Sequence, residues 1–239
     1  MVSVCSMVDY GYCMNSSEFN AYKADFRAVI RKVLAESEQG RMDEAGFPAY
    51  SHPNPLINWL FWQRLHKVMD YLERDSPYEH VLDFGCGSGV MLPFLCGIST
   101  RVTAMDIDLL PFERISRQRA FPANLTVHNA RDVTLKDLPK TSFDIIVATD
   151  VLEHVDDLPG TLADMGNLLK PGGQLAISGP TENILYKIGR KLAGPEYSGD
   201  YHERGILEVR NLLAEQMQVI HIATLYWPVP LFEIFAGRI

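Results

Sequence analysis

Apolar positions recur at spacings of three and four in two early stretches of the chain. Phe19, Tyr22, Phe26, Ile30, Val33 and Leu34 carry the first, with charges between them. This pattern predicts an amphipathic helix over 18–39, ended by Gly40. The second stretch, LINWLFWQRLHKVMDYLE, predicts a helix over 56–73. Between them AGFPAYSHPNP (45–55) holds three prolines. Proline removes a backbone donor and clashes within a helix, so this segment reads as a linker without regular helix.

From residue 80 the period changes. Short apolar runs, HVLDF (80–84), RVTAMDI (101–107), NLTVHN (124–129), FDIIVAT (143–149), GQLAIS (173–178), QVIHIATLY (218–226) and LFEIFAGRI (231–239), predict strands. Segments between them, such as DLPGTLADMGNLLK (157–170), return to helical spacing. Near-continuous apolar strands joined by crossovers imply a parallel sheet covered on both faces. Only WPVP separates the last two strands, so they form a hairpin and one of them runs antiparallel. The predicted organisation is an N-terminal helical cap and linker over 1–55 and an α/β domain over 56–239. No internal repeat or low-complexity tract interrupts it.

Composition narrows the partners. At 47% hydrophobic and 22% charged, the 239 residues suffice for one sizeable core. Twenty-two basic against thirty acidic residues leave a net charge of −8, which repels nucleic-acid backbones and anionic membranes and makes a small molecule the default partner. The local basic clusters, Arg114, Arg117 and Arg119 and then Lys187, Arg190 and Lys191, read as solvated helix faces. Four cysteines, at 5, 13, 86 and 96, lack zinc spacing and fit a reduced compartment. The start of the chain has no basic, apolar leader, and no run of some twenty apolar residues is long enough to span a bilayer. The expectation is a cytoplasmic protein without stable membrane insertion. The pattern specifies no oligomeric state.

The chemistry concentrates at strand ends. VLDFGCGSGV (81–90) places Gly85, Gly87 and Gly89 directly after the first strand, where open α/β sheets bind ligands. A dinucleotide fingerprint needs glycine or alanine at the sixth position, and Val90 stands there instead. Asp83 would repel a pyrophosphate but suits a ligand with an ammonium group; its plainer role would be to cap the next helix. A kinase-type DFG is disfavoured, because no glycine-rich loop precedes it and no HRD follows. Asp106, twenty-three positions after Asp83, stands near the offset at which an acid accepts both ribose hydroxyls. Asp132, in NARDV at the third strand's exit, could accept from an adenine amine, with Ala130 and Val133 flanking the ring.

VLDFGCGSG, AMDID, NARDV, FDIIVATDVLEHV and LLKPGGQLAIS together resemble the ordered motifs of class I S-adenosylmethionine-dependent methyltransferases, strongly over about residues 78–182. The resemblance implies a Rossmann-like, seven-stranded, mostly parallel sheet with helices on both faces and an antiparallel C-terminal hairpin. It implies S-adenosyl-L-methionine as cofactor and S-adenosyl-L-homocysteine as product. The implied cofactor contacts are Asp83 at the methionyl ammonium, Phe84, Gly85, Cys86, Gly87 and Gly89 beneath the cofactor, Asp106 and Ile107 at the ribose side, and Arg131, Asp132 and Val133 at adenine. Thr149 and Asp150 would line the methionyl and sulfonium region.

Methyl transfer from a sulfonium is an in-line displacement, so the protein chiefly positions and desolvates, and a histidine near neutrality is the natural base if one is used. His154, in DVLEHV, reads either as catalytic or acceptor-facing or as packing at a helix terminus; His202, in GDYHERG, is the second catalytic candidate. His52 reads as a loop residue or as one folded over the pocket. The spacing Asp150-x-x-Glu153-His154 also resembles the divalent-ion element of ubiquinone-pathway O-methyltransferases, although it is common in metal-free relatives, and no metal is assigned. An acceptor-side insertion around 179–205, with Tyr186, Tyr197 and Tyr201, and the aromatic-rich N-terminal region are available to enclose a small-molecule acceptor. The nucleophile could be oxygen, nitrogen or carbon. A catalytically silent cofactor-binding partner or sensor is the alternative. The Asn/Asp-Pro-Pro-Tyr signature of nucleic-acid amino-methylating members is replaced by TDVLEHV.

Overall fold

The structure, a computed structural model, describes residues 15–35, 50–51, 54–181, 205–226 and 229–239. Helix α1 spans Ser16–Ala35. Its start is closed reciprocally: Asn15 Oδ1 accepts from the Ser17 and Glu18 N–H groups at 2.9 and 3.1 Å, and the Glu18 carboxylate accepts from the Asn15 N–H at 2.9 Å. Helix α2, Pro55–Glu73, begins with proline in the first turn, where no donor is lost, and Asn54 Oδ1 takes the Leu56 N–H. Tyr50 and Ser51 are helical, a correction to the regular-helix-free linker predicted from its prolines. The prolines at 48 and 53 bracket these two residues instead of falling between them, and proline excludes helix only where an interior donor is needed.

The strands are β1 (Tyr78–Phe84), β2 (Ser99–Asp106), β3 (Leu125–Asn129), β4 (Phe143–Thr149), β5 (Leu169–Pro180), β6 (Gln218–Leu225) and β7 (Phe232–Arg238). They form one sheet in the order β3-β2-β1-β4-β5-β7-β6, parallel throughout except for β7, which runs antiparallel to both β5 and β6. Helices α3 (Leu92–Gly97), α4 (Leu110–Gln118), α5 (Leu158–Leu168) and α6 (Ile206–Ala214) complete the described architecture.

Alternate strand residues face opposite layers, and the two cores show this directly. Val81, Val102, Ile145, Val147, Ala176 and Ile234 join one cluster with residues of α1, α2, α3 and α4. Leu82, Met105, Ile146, Ala148, Leu175, Ile177 and Phe235 join the other, with α5 and α6. Both faces are therefore covered, which is why the strands read as continuous apolar runs. Phe26 and Ile30 of α1 and Trp62, Leu65 and Met69 of α2 are completely buried in the first layer. The strand order reverses between β1 and β4, and the crevice at such a switch point is where this architecture receives a ligand.

Candidate active site

The loop after β1 is shaped by its own backbone. Gly85, Gly87 and Gly89 have φ of 78°, 52° and 76°, a region costly to residues with a Cβ. At Gly85 there is no room for one either, because a Cβ there would stand 2.5 Å from Val151 Cγ2. The loop is tied to β2: the Gly85 and Cys86 N–H groups donate to the Met105 carbonyl at 2.8 and 3.2 Å, and the Gly87 N–H donates to Asp106 Oδ2 at 2.8 Å. Asp106 Oδ1 accepts from the Asp108 N–H. Cys86 is a buried free thiol whose pKa is pushed well up by burial.

Asp83 shares the layer of Val81 and lies under this loop, 2% exposed. It caps no helix. Its Oδ2 is buried without a hydrogen-bond partner among the described residues. Burial, and then the neighbouring Asp106 carboxylate, raise its pKa to about 7. A buried carboxylate oxygen without a donor is costly, and a ligand's ammonium group is the chemistry that would satisfy it.

The other wall comes from β4 and the two N-terminal helices. Asp150 follows Thr149 at the end of β4, with φ of 52°, and its N–H donates to the Ser178 carbonyl at 2.9 Å. Its Oδ2 forms an ion pair with Arg64 Nη1 of α2, while Oδ1 is buried without a partner among the described residues. Burial raises its pKa, opposed by Arg64 and His154. Arg64 is 1% exposed; its Nη2 donates to the Tyr50 hydroxyl at 3.1 Å, and its guanidinium lies 5.5 Å from the Phe61 ring centroid and 5.1 Å from that of Phe232. Burial pushes the Tyr50 phenol up to about 12, with Arg64, Asp150 and Asp83 all acting on it. From α1, the Tyr22 hydroxyl donates to the Val90 carbonyl, so that helix lies against the end of the glycine loop.

The remaining candidates lie at or just after the ends of β1, β2, β3 and β4. Phe84 is half-buried against the second layer's core. Ile107, directly after β2, is 63% exposed. Arg131 and Asp132 are exposed in the turn after β3, with Val133 half-buried behind them. His154 ends a short 3-10 turn, Leu152–His154, and is exposed, whereas Glu153 is 1% exposed, so the two occupy opposite environments. Among the described residues no three histidine, cysteine, aspartate or glutamate side chains are grouped as metal ligands. His202, His52, Tyr186, Tyr197, Tyr201, Lys187, Arg190, Lys191, Cys5 and Cys13 lie outside the described residues.

Sequence reasoning missed Arg64 and Tyr50. Arg64 did carry a signal, because it falls on the apolar stripe of α2, three residues after Phe61 and four before Val68. Tyr50 carried none, since it stands in a proline-rich stretch with no period.

A β3-β2-β1-β4-β5-β7-β6 sheet with a left-handed glycine turn after β1 and acids ending β1 and β2 defines the class I S-adenosylmethionine-dependent methyltransferases. Residues 58–228 match the family described as "Methyltransferase domain", and the chain belongs to that family. The "Ubiquinone biosynthesis O-methyltransferase" of Nitrosococcus oceani is 31% identical over 134 residues, 52% of this chain and 56% of that protein. An uncharacterized methyltransferase of Mycobacterium tuberculosis is 37% identical over 97 residues, 41% of this chain and 48% of that protein. The chain thus matches about half the length of these curated relatives. Among solved structures, the N-methyltransferase NodS from Bradyrhizobium japonicum in complex with S-adenosyl-L-homocysteine aligns with a TM-score of 0.56 at 17% identity, covering 89% of this chain and 97% of that one. The cofactor of the class is S-adenosylmethionine, and the unpartnered Asp83 oxygen and the Gly85 cradle fit it.

Proposed function

We propose that this chain transfers a methyl group from S-adenosylmethionine to a small-molecule acceptor, with a hydroxyl group as the first nucleophile to test. The observation that carries this reading is Asp83: a buried carboxylate with an unpartnered oxygen, beneath a glycine turn, at the crevice where the strand order reverses. The O-methyltransferase names of several curated relatives support oxygen as acceptor.

When bound, the cofactor supplies an electrophilic methyl group on a sulfonium centre. Asp83 holds the ammonium. Asp106 takes the ribose hydroxyls on lone pairs left by its two backbone donors, since a carboxylate has about four acceptor sites. Ile107 lies alongside the ribose, and Arg131, Asp132 and Val133 meet adenine. Thr149 and Asp150 line the methionyl end. His154, exposed at the exit of β4, accepts the acceptor's proton, and His202 is the second group for that role. The chain's main contribution is to hold the nucleophile about 3 Å from the methyl and to exclude water.

Incubation with S-adenosylmethionine and a panel of phenols, catechols, amines and quinone-type extracts, read by mass spectrometry, tests this. The expected result is a gain of one methyl mass on a hydroxyl-bearing compound, with kcat lowered at least about 100-fold in His154→Ala and cofactor affinity unchanged. Unchanged kcat in that variant removes the base role. Cofactor binding with no product across the panel points instead to a cofactor-holding partner or sensor.

A further inference from the structure

At one corner of the sheet two aromatic side chains stand partly outside the core. Trp59 lies on α2 one turn before the completely buried Trp62, yet it is 45% exposed, and Leu56, one turn earlier still, is exposed as well. Among the described residues the Trp59 ring meets that of half-buried Tyr226, with centroids 5.8 Å apart and planes tilted by 54°. Single apolar side chains on a surface need no explanation, whereas a contiguous, anchored set does. Tyr226 keeps its place with a left-handed backbone, φ 72°, which is strained for a residue with a Cβ. Its hydroxyl donates to the Leu60 carbonyl of α2 at 3.1 Å. Strain of this kind persists only where the surroundings over-determine it, and it collects at ligand clamps.

The topology sets this corner beside the exit of β4. Tyr226 directly follows β6, and Phe232 opens β7. Leu225 and Pro180 both pair with Phe232, so the corner adjoins the end of β5, where the Thr181 N–H donates to the Leu231 carbonyl at 3.0 Å. Two residues back along β5, the Ser178 carbonyl takes the N–H of Asp150. Phe232 lies on the face of Ile234, the face that Val81 and Asp83 share. Rings carry the wall across this step: Tyr226 stands 6.5 Å from Phe232 and Phe232 5.7 Å from Phe61 of α2, centroid to centroid. Arg64 lies against both phenyl rings, and its charge is balanced by Asp150. The wall therefore offers aromatic surface without net charge.

We propose, resting on the reading that this chain methylates a small molecule, that Trp59 and Tyr226 select the acceptor as an uncharged, planar aromatic ring laid against theirs. An aliphatic acceptor of equal size would bury similar apolar area there but forgo the offset-stacked or edge-to-face attraction between rings. Trp59 decides between the two, because it is the ring with most surface left to cover.

Calorimetry on the protein saturated with S-adenosylhomocysteine tests this, with naphthol and its saturated counterpart decahydronaphthol as probes. The two share a carbon skeleton and a hydroxyl group, and only the first is aromatic. Wild-type protein is expected to bind naphthol at least about fivefold more tightly, the preference that one or two ring pairs supply. In Trp59→Leu, which keeps an apolar side chain, affinity for naphthol falls at least about threefold while that for the saturated compound changes less than about twofold. Trp59→Phe regains part of the preference. Equal wild-type affinity for the two probes, or no binding of naphthol, overturns the proposal and needs no variant. Equal weakening of both probes in Trp59→Leu also overturns it, leaving Trp59 as plain apolar surface. A dimer in solution that Trp59→Leu dissociates assigns the patch to a second copy of the chain and overturns it as well. Failure of S-adenosylhomocysteine to bind the wild type at all defeats the underlying functional reading, a result distinct from the loss of ring preference.

Discussion

Asp83 is kept where its charge is expensive. In the folded chain its pKa is about 7 against an ordinary value of 3.8, a difference that corresponds to roughly 4 kcal/mol. The sign follows from proton counting. Between pH 4 and 7 the fold holds a proton on Asp83 that the unfolded chain has released, so this group's contribution falls as pH rises through that window and is at its most unfavourable above 7. Asp83→Asn is therefore expected to stabilise the ligand-free protein, by more at pH 8 than at pH 5, in urea denaturation at the two pH values. The same variant should lose cofactor affinity, and the wild type's affinity for S-adenosylhomocysteine should rise from pH 6 to 8 as the carboxylate ionises. A variant that is less stable at pH 8 than the wild type contradicts this account of the carboxylate. Stability given up at a binding position is a usual feature of functional sites.

At the scale of elements, α1 is part of the core it covers. Phe26 is completely buried, and the cluster that contains it runs through α2 to Val81 and Val147 of the sheet. Phe26→Ala is expected to cost about 3–5 kcal/mol in urea denaturation, with one cooperative transition shifted as a whole. A transition that splits, with the sheet's midpoint unmoved, would identify α1 as a separable cap. The same elements explain what could be read in advance. The strands were legible because burial on both faces leaves nearly continuous apolar runs, and β4 matches its predicted bounds at 143–149. The start of β5 was not, since Lys170, Pro171, Gly172 and Gly173 hide its first residues behind turn-forming types. The placement of Asp83, the glycines and Asp106 at the ends of β1 and β2 was legible because their spacing is set locally by one strand and one turn. Arg64 and Tyr50 meet Asp150 through tertiary packing: the apolar stripe of α2 marks Arg64 as a position facing the core but not what it meets there, and Tyr50 falls on no period.

The whole molecule combines a net charge of −8 with a reversal of strand order between β1 and β4, where this architecture receives a ligand. Among the described residues no helix is long and apolar enough to cross a membrane. Ligand binding to such a fold is linked to its global stability. S-adenosylhomocysteine at 100 times its Kd should add about 2.7 kcal/mol, and for a chain of this size that raises the unfolding midpoint by about 5–10 °C. NADH at the same concentration should leave the midpoint where it was in a thermal-shift assay. The opposite pattern, a shift with NADH and none with S-adenosylhomocysteine, would overturn the assignment of the crevice. Val151, in the turn after β4, rests against Gly85, in the turn after β1. The glycine turn after β1 and the turn bearing His154 share a contact too tight for a single added methyl. On the proposed reading, Gly85→Ala would push Val151 aside and shift the turn that bears the proposed base together with the cofactor's floor.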